Sequence, residues 1–252
     1  MAVVDTDIVV FGSAVMPDDD VTTEIGGAID LTKKIVFTDI SPNGTVTIFS
    51  SAAGDNTQTV TTYGRDAAGV LVSEALGLTG TTPVAGTQVF ERVLKIVLSA
   101  AAVGNVTVEE TTGGEDLVVM EAGVTEIRRP FYNAFSEAAG GAQKIYYEKI
   151  FFKNTNTVSA LTSAVMSEFA DPSGLVAFGL APTLDDSGTN GVGNNRQVAP
   201  SAITIDSANK NVVNSQVHSP STAQGIWLSL TLPAGTAASK TSYTLRETGE
   251  TA

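Results

Sequence analysis

Three short runs of β-branched residues between positions 57 and 98 constrain the fold of this chain most strongly. The runs span 57–64, 70–78 and 88–98, and the connectors between them are rich in Gly, Ala, Thr and Pro. Short strands separated by turn signals every ~8–12 residues are typical of antiparallel sandwiches and barrels. The stretch therefore predicts three consecutive strands of an antiparallel meander.

Similar runs recur through the rest of the chain. They predict further strands at 106–110, 117–120, 144–153, 161–169, 225–232 and 241–246. Hydrophobic residues make up 42% of the sequence and charged residues 16%, which is enough apolar material for a core. No stretch shows a convincing amphipathic helix. The sequence therefore predicts an all-β protein with one or two Ig-like or jelly-roll-like antiparallel β-sandwich domains.

The strand at 225–232 shows the clearest alternation of apolar side chains. It places Ile226 and Leu228 on one face and Trp227 on the other. We therefore expect Leu228 to be buried and Trp227 to lie on an outer face, exposed unless a partner covers it.

One local pattern suggests how the domains are organised. A lysine-led apolar run followed by a polar turn and a second alternating run occurs at 34–48, 95–108 and 149–161, and each is interpreted as a hairpin. The recurrence reflects either chance similarity among hairpins or two related sandwich domains. With a boundary near Arg128, Arg129 and Pro130, the expected division is an acidic N-terminal arm at 1–30, a β-sandwich at 31–130 and a second β-sandwich with long loops at 131–252.

Residues 1–30 carry seven carboxylates and no Lys or Arg. Such a segment is either a solvated arm or an arm that docks on a basic surface of a neighbouring subunit. It also contains an apolar run at 8–11, which we expect to pair with the sheet of this chain or of a neighbour.

Bulk properties argue against several functional classes. The formal net charge is −13, and phosphate binding needs clustered Lys and Arg, so no nucleic-acid partner is expected. The chain has no cysteine, which excludes disulfides and thiolate chemistry. The N-terminal residues lack the pattern of a signal peptide, and no apolar window approaches the ~18 residues that cross a bilayer. We expect a protein without a membrane partner, made in a cytoplasm.

Residues suited to catalysis or metal binding are few. His218 is the only histidine, lies in a polar segment and has no Gly-x-Ser-x-Gly elbow to accompany it, so we expect a loop or surface histidine. Asp18–Asp20 and Asp185–Asp186 could hold calcium or be solvated turn carboxylates, and neither follows EF-hand spacing. Arg128 and Arg129 form the densest basic spot and predict an interdomain ion pair in preference to a ligand site. No catalytic, cofactor-binding or metal-binding residue is predicted.

Several turn and strand motifs resemble those of tailed-bacteriophage virion structural proteins. The similar segments lie at 11–20 (Phe-Gly-Ser-Ala-Val-Met-Pro-Asp-Asp-Asp), 25–30, 50–60, 64–69 (Gly-Arg-Asp-Ala-Ala-Gly), 131–133, 147–156 and 225–228. They cover most of the chain but carry no catalytic content. The resemblance implies a component of an assembled phage particle that has no enzymatic activity and an Ig-like or related β-sandwich fold.

We therefore expect a virion structural protein, made in the cytoplasm of the host bacterium. A capsid decoration or cement role is favoured over a tail or head–tail role such as tube, adaptor or fibre. In the alternative role, loops 185–195 and 212–222 would bind a host receptor or glycan. The expected partners are other virion proteins, such as the major capsid protein or tail proteins, and further copies of this chain.

Overall fold

The computed structural model describes residues 2–19, 22–35, 38–132, 134, 141–235 and 242–251. The chain is 49% strand and 3% helix, and its antiparallel sheets form sandwich-like layers without a closed barrel. The all-β sandwich prediction is therefore confirmed. The chain divides into two compact units, the central unit Leu31–Pro130 and the terminal unit, which combines Met1–Asp30 with Phe131–Ala252.

Sixteen strands are found in the described part of the chain. A 3₁₀ turn at Asp5–Asp7 precedes β1 (Ile8–Val15), β2 (Gly26–Lys34), β3 (Val46–Ser50), β4 (Thr59–Arg65), β5 (Leu71–Gly77), β6 (Val84–Ala85), β7 (Arg92–Leu98), β8 (Val106–Glu110), β9 (Asp116–Met120) and β10 (Glu126–Arg128). Then follow β11 (Lys144–Asn154), β12 (Leu161–Ala170), β13 (Val176–Leu184), β14 (Lys210–Asn211), the helical turn α1 (Val213–Gln216), β15 (Ala223–Leu232) and β16 (Thr244–Thr251).

The central unit is a sandwich of two four-stranded layers. The strand order is β10-β7-β4-β5 in one layer and β6-β3-β8-β9 in the other. Side chains on alternate positions of each layer point to a shared apolar core, to which β3 contributes Ile48, β7 contributes Ile96 and β8 contributes Val108. All three are fully buried. The core therefore lies between the layers, as the period-2 pattern requires.

The predicted meander is wrong in its strand order. β4 pairs with β5 as expected, but β7 pairs with the other side of β4 and not with β5. The chain leaves the layer after β5, because β6 pairs with β3 in the opposite layer. β7 is buried along most of its length, whereas β5 alternates between exposed and half-buried residues. An apolar strand such as β7 needs neighbours on both sides, and β5 is left at the edge.

The three predicted lysine-led hairpins are also wrong. β7 and β8 belong to different layers, and so do β11 and β12. In the first pattern β2 ends at Lys34 and β3 lies in another sheet, while residues 36 and 37 lie outside the described residues. The pattern therefore marks a strand followed by a crossing to the opposite layer, because both runs are apolar enough to face the core from different sheets.

The terminal unit includes the segment that was expected to be an acidic arm. Its strands follow the order β13-β15-β11-β1 in one layer and β14-β12-β16 in another. β1 pairs antiparallel with β11, from Ile8 opposite Asn154 to Gly12 opposite Ile150. Phe11 is buried. The arm at 1–30 is therefore not a separate segment, because its apolar run is a strand of this unit's own sheet. Asp20 lies outside the described residues.

Trp227 is buried, in contrast to the prediction for the outer face of its strand. It is 1% exposed and Leu228, as predicted, is buried at 3%. β15 lies between β13 and β11, and both of its faces are covered along most of its length. The indole lies against Gly26, where an added Cβ would come within 2.8 Å of Cη2. A residue without a side chain is therefore required beneath the ring.

Replacing Trp227 with Ala should behave as a core deletion. We expect the Trp227→Ala variant to lose about 3–5 kcal/mol of unfolding free energy, because the cavity cannot close completely. Urea denaturation followed by far-UV circular dichroism measures this, since the variant lacks the only Trp. Phe169, which is 58% exposed, provides the control, and Phe169→Ala should cost less than about 1 kcal/mol. Equal losses in both variants would contradict the burial of Trp227.

Candidate assembly surface

β5 is an edge strand whose one charged side chain, Glu74, accepts hydrogen bonds from Thr87 N at 2.8 Å and Thr87 Oγ1 at 3.1 Å. Among the described strands its neighbour is β4, and its sequence Leu-Val-Ser-Glu-Ala-Leu-Gly holds neither Lys nor Pro. Leu71, its first residue, and Val70, which precedes it, are 41% and 57% exposed. Edge strands in soluble proteins usually carry Lys, Pro or bulges that prevent pairing with another chain. β5 is therefore a candidate surface for contact with another subunit.

The loop that follows β13 is held in place by the buried ammonium group of Lys149. Nζ donates to the backbone oxygens of Gly27 at 3.0 Å, Asp186 at 2.9 Å and Gly188 at 2.9 Å, and to Asp186 Oδ2 at 2.6 Å. The ammonium also lies 4.9 Å from the ring centroid of Phe151. Burial lowers the pKa of Lys149, and the hydrogen bond and charge of Asp186 partly offset this effect. One cation thus ties the loop to the start of β2.

The same region explains the surroundings of Asp185 and Asp186, the second of the two aspartate clusters considered as calcium ligands. Asp186 is paired with Lys149, and Asp185 Oδ1 accepts a hydrogen bond from the backbone of Ala223 at 2.9 Å. No group of three or more metal-ligating side chains occurs among the residues that the structure describes. An internal ammonium therefore stands where a cation could otherwise neutralise Asp186.

The remainder of the loop is fixed by two further buried polar residues. Asn190 accepts a hydrogen bond from Ile25 N at 2.9 Å and donates to the backbone oxygens of Asn195 and Val198. Arg196 Nη1 donates to Tyr132 O at 2.6 Å. Between these anchors Val192 is 91% exposed. Buried polar residues thus hold the loop in place, and the loop presents an apolar side chain to solvent.

His218 is buried, and the expected loop or surface position is wrong. Its Nδ1 lies 2.7 Å from Glu247 Oε1 and its Nε2 lies 3.1 Å from Thr222 O. Since a carbonyl oxygen accepts only, Nε2 carries a hydrogen, and a further proton must lie between Nδ1 and the carboxyl group. Both ring nitrogens are therefore occupied by partners within the chain, and the contact joins β16 to the loop before β15.

The loop containing His218 includes a left-handed turn. Asn214, Ser215 and Gln216 have φ values of 61°, 58° and 64°. Such a conformation costs about 1–2 kcal/mol per residue for residues other than glycine. Asn214 and Ser215 are exposed. Neighbouring anchors, such as the bond from Val213 N to Gln224 Oε1 at 3.2 Å, hold the turn.

The loop at 185–195 begins where the loop at 212–222 ends, within the terminal unit. Asp185 N donates to Ala223 O at 2.7 Å, directly after the pair of Leu184 with Gln224. The fold thus brings the root of the first loop to the end of the second.

Arg128 and Arg129 each form an ion pair with a residue of the central unit, and the predicted interdomain ion pair stays a prediction. Arg128 Nη1 lies 3.3 Å from Glu126 Oε1, and Arg129 Nη2 bonds Asp39 Oδ1. β10 pairs with β7, which places Arg128 opposite Lys95, and Arg129 N donates to Leu94 O.

Asp55 organises a loop junction that the sequence did not reveal. Its carboxylate accepts hydrogen bonds from Ser50 Oγ at 2.6 Å and from the backbone N–H groups of Val103 and Gly104 at 2.9 Å each. The bond from Ser50, followed by those from Val103 and Gly104, holds the pKa of Asp55 below its ordinary value. The only signal in the sequence was a carboxylate between Gly54 and Asn56, which also fits an exposed turn.

No helix in the described part of the chain is long and apolar enough to cross a membrane.

Lys149→Met should destabilise the terminal unit and loosen its loop. The variant removes one donor from three backbone oxygens and from the Asp186 carboxylate, so we expect a loss of about 3 kcal/mol. Gly188 O and Asp186 Oδ2 keep the hydrogen bonds from Gly27 N and Gly188 N. Amide hydrogen exchange should accelerate at 186–191. Lys153→Met is the matched control, because Lys153 donates a single hydrogen bond, to Ser221 O at 2.7 Å, and should cost about 1 kcal/mol or less. Unchanged exchange at 186–191 would contradict the anchoring role.

Asp55→Asn should make the free energy of unfolding less dependent on pH in the acidic range. The folded pKa lies below the unfolded value of 3.8, so the carboxylate stabilises the fold above that value and loses this effect as pH falls through the folded pKa. The variant should be less stable than the wild type at neutral pH, and the difference should shrink toward about pH 3. Urea midpoints across this range measure it, with exposed Glu115→Gln as the charge control. A constant difference at all pH values would refute the assignment.

Comparisons with known proteins give little. No family model and no curated protein matches the sequence. Two solved structures are matched weakly, a mutant VP2 protein of infectious bursal disease virus in T=1 particles at 14% identity and T=1 particles derived from infectious bursal virus at 12% identity. Each match covers 100% of this chain and 66% of the other, so this chain spans less than two thirds of their length. The TM-score is 0.16 in both cases, which supports no argument about fold or function.

Proposed function

We propose that this chain is a non-enzymatic structural component of a bacteriophage virion, most specifically a capsid decoration or cement protein that packs on neighbouring subunits. The observation that carries the proposal is the edge of β5, which holds neither Lys nor Pro. A strand of seven residues with a free edge and exposed apolar residues at its start can extend its sheet by pairing with another chain. Symmetric arrays of subunits provide such partners.

The ordered loop at 185–198 supports a role in subunit packing. Its anchors Lys149, Asn190 and Arg196 are buried, so the loop loses little conformational freedom when a partner covers it. Val192 at its tip offers an apolar contact. Pre-organised apolar protrusions of this kind suit protein contacts better than small-molecule binding, for which concave sites are usual.

The engagement of the reactive side chains supports a non-enzymatic role. His218 uses both ring nitrogens in contacts with Glu247 and Thr222. Asp185 and Asp186 are bonded to Ala223 and Lys149. A general base or nucleophile needs a group that can face a substrate. The resemblance of the turn and strand motifs to tailed-phage virion proteins supports the virion assignment and a site of action in the particle.

A tail or head–tail component, with receptor or glycan binding, is the second candidate. The observation in its favour is the common root of the loops 185–195 and 212–222 at Asp185 and Ala223, together with the exposed left-handed turn at Asn214 and Ser215. Strained turns of this kind often occur at binding sites.

The proposal is tested by counting copies in particles of the phage that encodes the chain. Quantitative mass spectrometry with isotope-labelled peptides should give a copy number that matches capsid geometry. Ala75→Lys places a charge on exposed β5 and should abolish incorporation while the isolated protein stays folded. Val158→Lys, at a residue 75% exposed outside β5, should be incorporated normally.

Three outcomes would count against parts of this proposal. Absence of the chain from purified particles would overturn the virion role. A few copies at a single vertex would favour the tail alternative. Incorporation of Ala75→Lys at wild-type occupancy would show that β5 is not the contact surface.

A further inference from the structure

Three arginines of the central unit meet at one end of the β4–β7 strand pair. Arg65 and Arg92 lie directly opposite each other in the register of these strands. Residues opposite each other in an antiparallel pair share a face of the sheet. Arg129 joins them, because its Nε donates to Val93 O at 2.9 Å, next to Arg92 in the chain.

The three guanidinium groups differ in what they bind. Arg65 Nη1 donates to Gly69 O at 2.5 Å, and Arg129 bonds Asp39 through Nη2. Arg92 donates no side-chain hydrogen bond to any residue that the structure describes, although its Nε is shielded from solvent. A guanidinium group has five N–H donors, and a covered donor without an acceptor is costly.

The electrostatic surroundings of Arg92 are unfavourable for a cation. Burial lowers its pKa most, the charge of Arg129 lowers it next, and that of Arg65 lowers it further, while Asp39 acts in the opposite direction. Of the charged groups that act on Arg92, two are thus guanidiniums and one is a carboxylate. The chain has 27 acidic and 14 basic residues, so this grouping of like charges is not a consequence of composition.

We propose that Arg65, Arg92 and Arg129 form an oxyanion-binding site that takes a carboxylate or phosphate group, with Arg92 as its principal ligand. A planar guanidinium matches both groups through two parallel hydrogen bonds. An oxyanion supplies the acceptors that Arg92 lacks and offsets the repulsion among the three cations.

The site is accessible and lies beside the edge strand. Arg92 is half-buried, and the side chains of Arg129 and Asp39 are 19% and 45% exposed. On the other side of β4, Arg65 lies opposite Leu71 of β5. The arginine cluster is therefore one strand away from the edge of the sheet. The oxyanion can therefore be an acidic side chain of a second copy, or a free phosphate. The site goes beyond the virion role and does not depend on it.

Thermal unfolding in inorganic phosphate, compared with sodium chloride at equal ionic strength, tests the site. We expect the Tm of the wild type to rise saturably, by about 5 °C at a phosphate concentration about a hundredfold above Kd. Arg92→Gln should abolish most of this rise, and its Tm without phosphate should equal or exceed that of the wild type, because a half-buried cation repelled by its neighbours is removed. Arg246→Gln, which changes the same charge on β16, should keep the full rise.

Asp39→Asn is a variant for which we expect the opposite effect on phosphate binding. Removing the carboxylate that competes for Arg129 should tighten phosphate binding several-fold, a result that misfolding cannot imitate. Equal phosphate shifts in the wild type and Arg92→Gln, or an Asp39→Asn variant that binds no more tightly, would overturn the site.

Sedimentation velocity at low salt distinguishes the two sources of the oxyanion. Self-association that phosphate reverses and Arg92→Gln abolishes identifies a carboxylate of a second copy. Phosphate binding without any change in association state identifies a free phosphate. Loss of incorporation into particles is a separate measurement, so the site and the virion role can fail independently.

Discussion

The terminal unit depends on a charge that cannot be left without partners. Lys149 lies in the middle of β11, with its side chain fully buried. An ammonium group removed from water must find acceptors, and here the backbone of Gly27, Asp186 and Gly188 provides them. The requirement fixes the position of the loop after β13 against the start of β2. The ring centroid of Trp227 lies 5.7 Å from the same ammonium, so the polar anchor lies beside the apolar core.

Strand positions could be predicted from the sequence, but sheet membership could not. The period-2 pattern located β4, β5, β8, β9, β11, β12 and β15 to within a few residues. Which strands pair is decided by partners far apart in the chain, such as β1 with β11, and local periodicity carries no information about them. For the same reason the outer face predicted for Trp227 was wrong, since a strand with neighbours in front and behind buries both faces.

Buried polar residues were the hardest part of the candidate surface to predict. The sequence around His218 is polar, which normally indicates exposure, yet the side chain is fully buried because Glu247 and Thr222 satisfy it. Lys149 did leave a signal, because it lies with Glu148 inside the otherwise apolar run 145–152 of β11, but alternation alone could not tell a solvent-facing lysine from a buried one. The composition of a segment indicates the average exposure of its side chains. These buried polar residues are exceptions, because partners far away in the sequence satisfy their hydrogen bonds.

The distribution of charge links the stability of the fold to its association with other molecules. An excess of carboxylates gives each copy a net charge of −13, which opposes crowding of identical subunits at low ionic strength. Salt reduces this repulsion over a Debye length of ~8 Å, so long-range repulsion fades while contacts at close range persist. If β5 is a contact surface, as we propose, pairing is favoured where the partner brings a carboxylate to Arg65 and Arg92, which follow Leu71 across the sheet. In that case a general negative charge together with a local cationic site would favour one orientation of association and oppose the others.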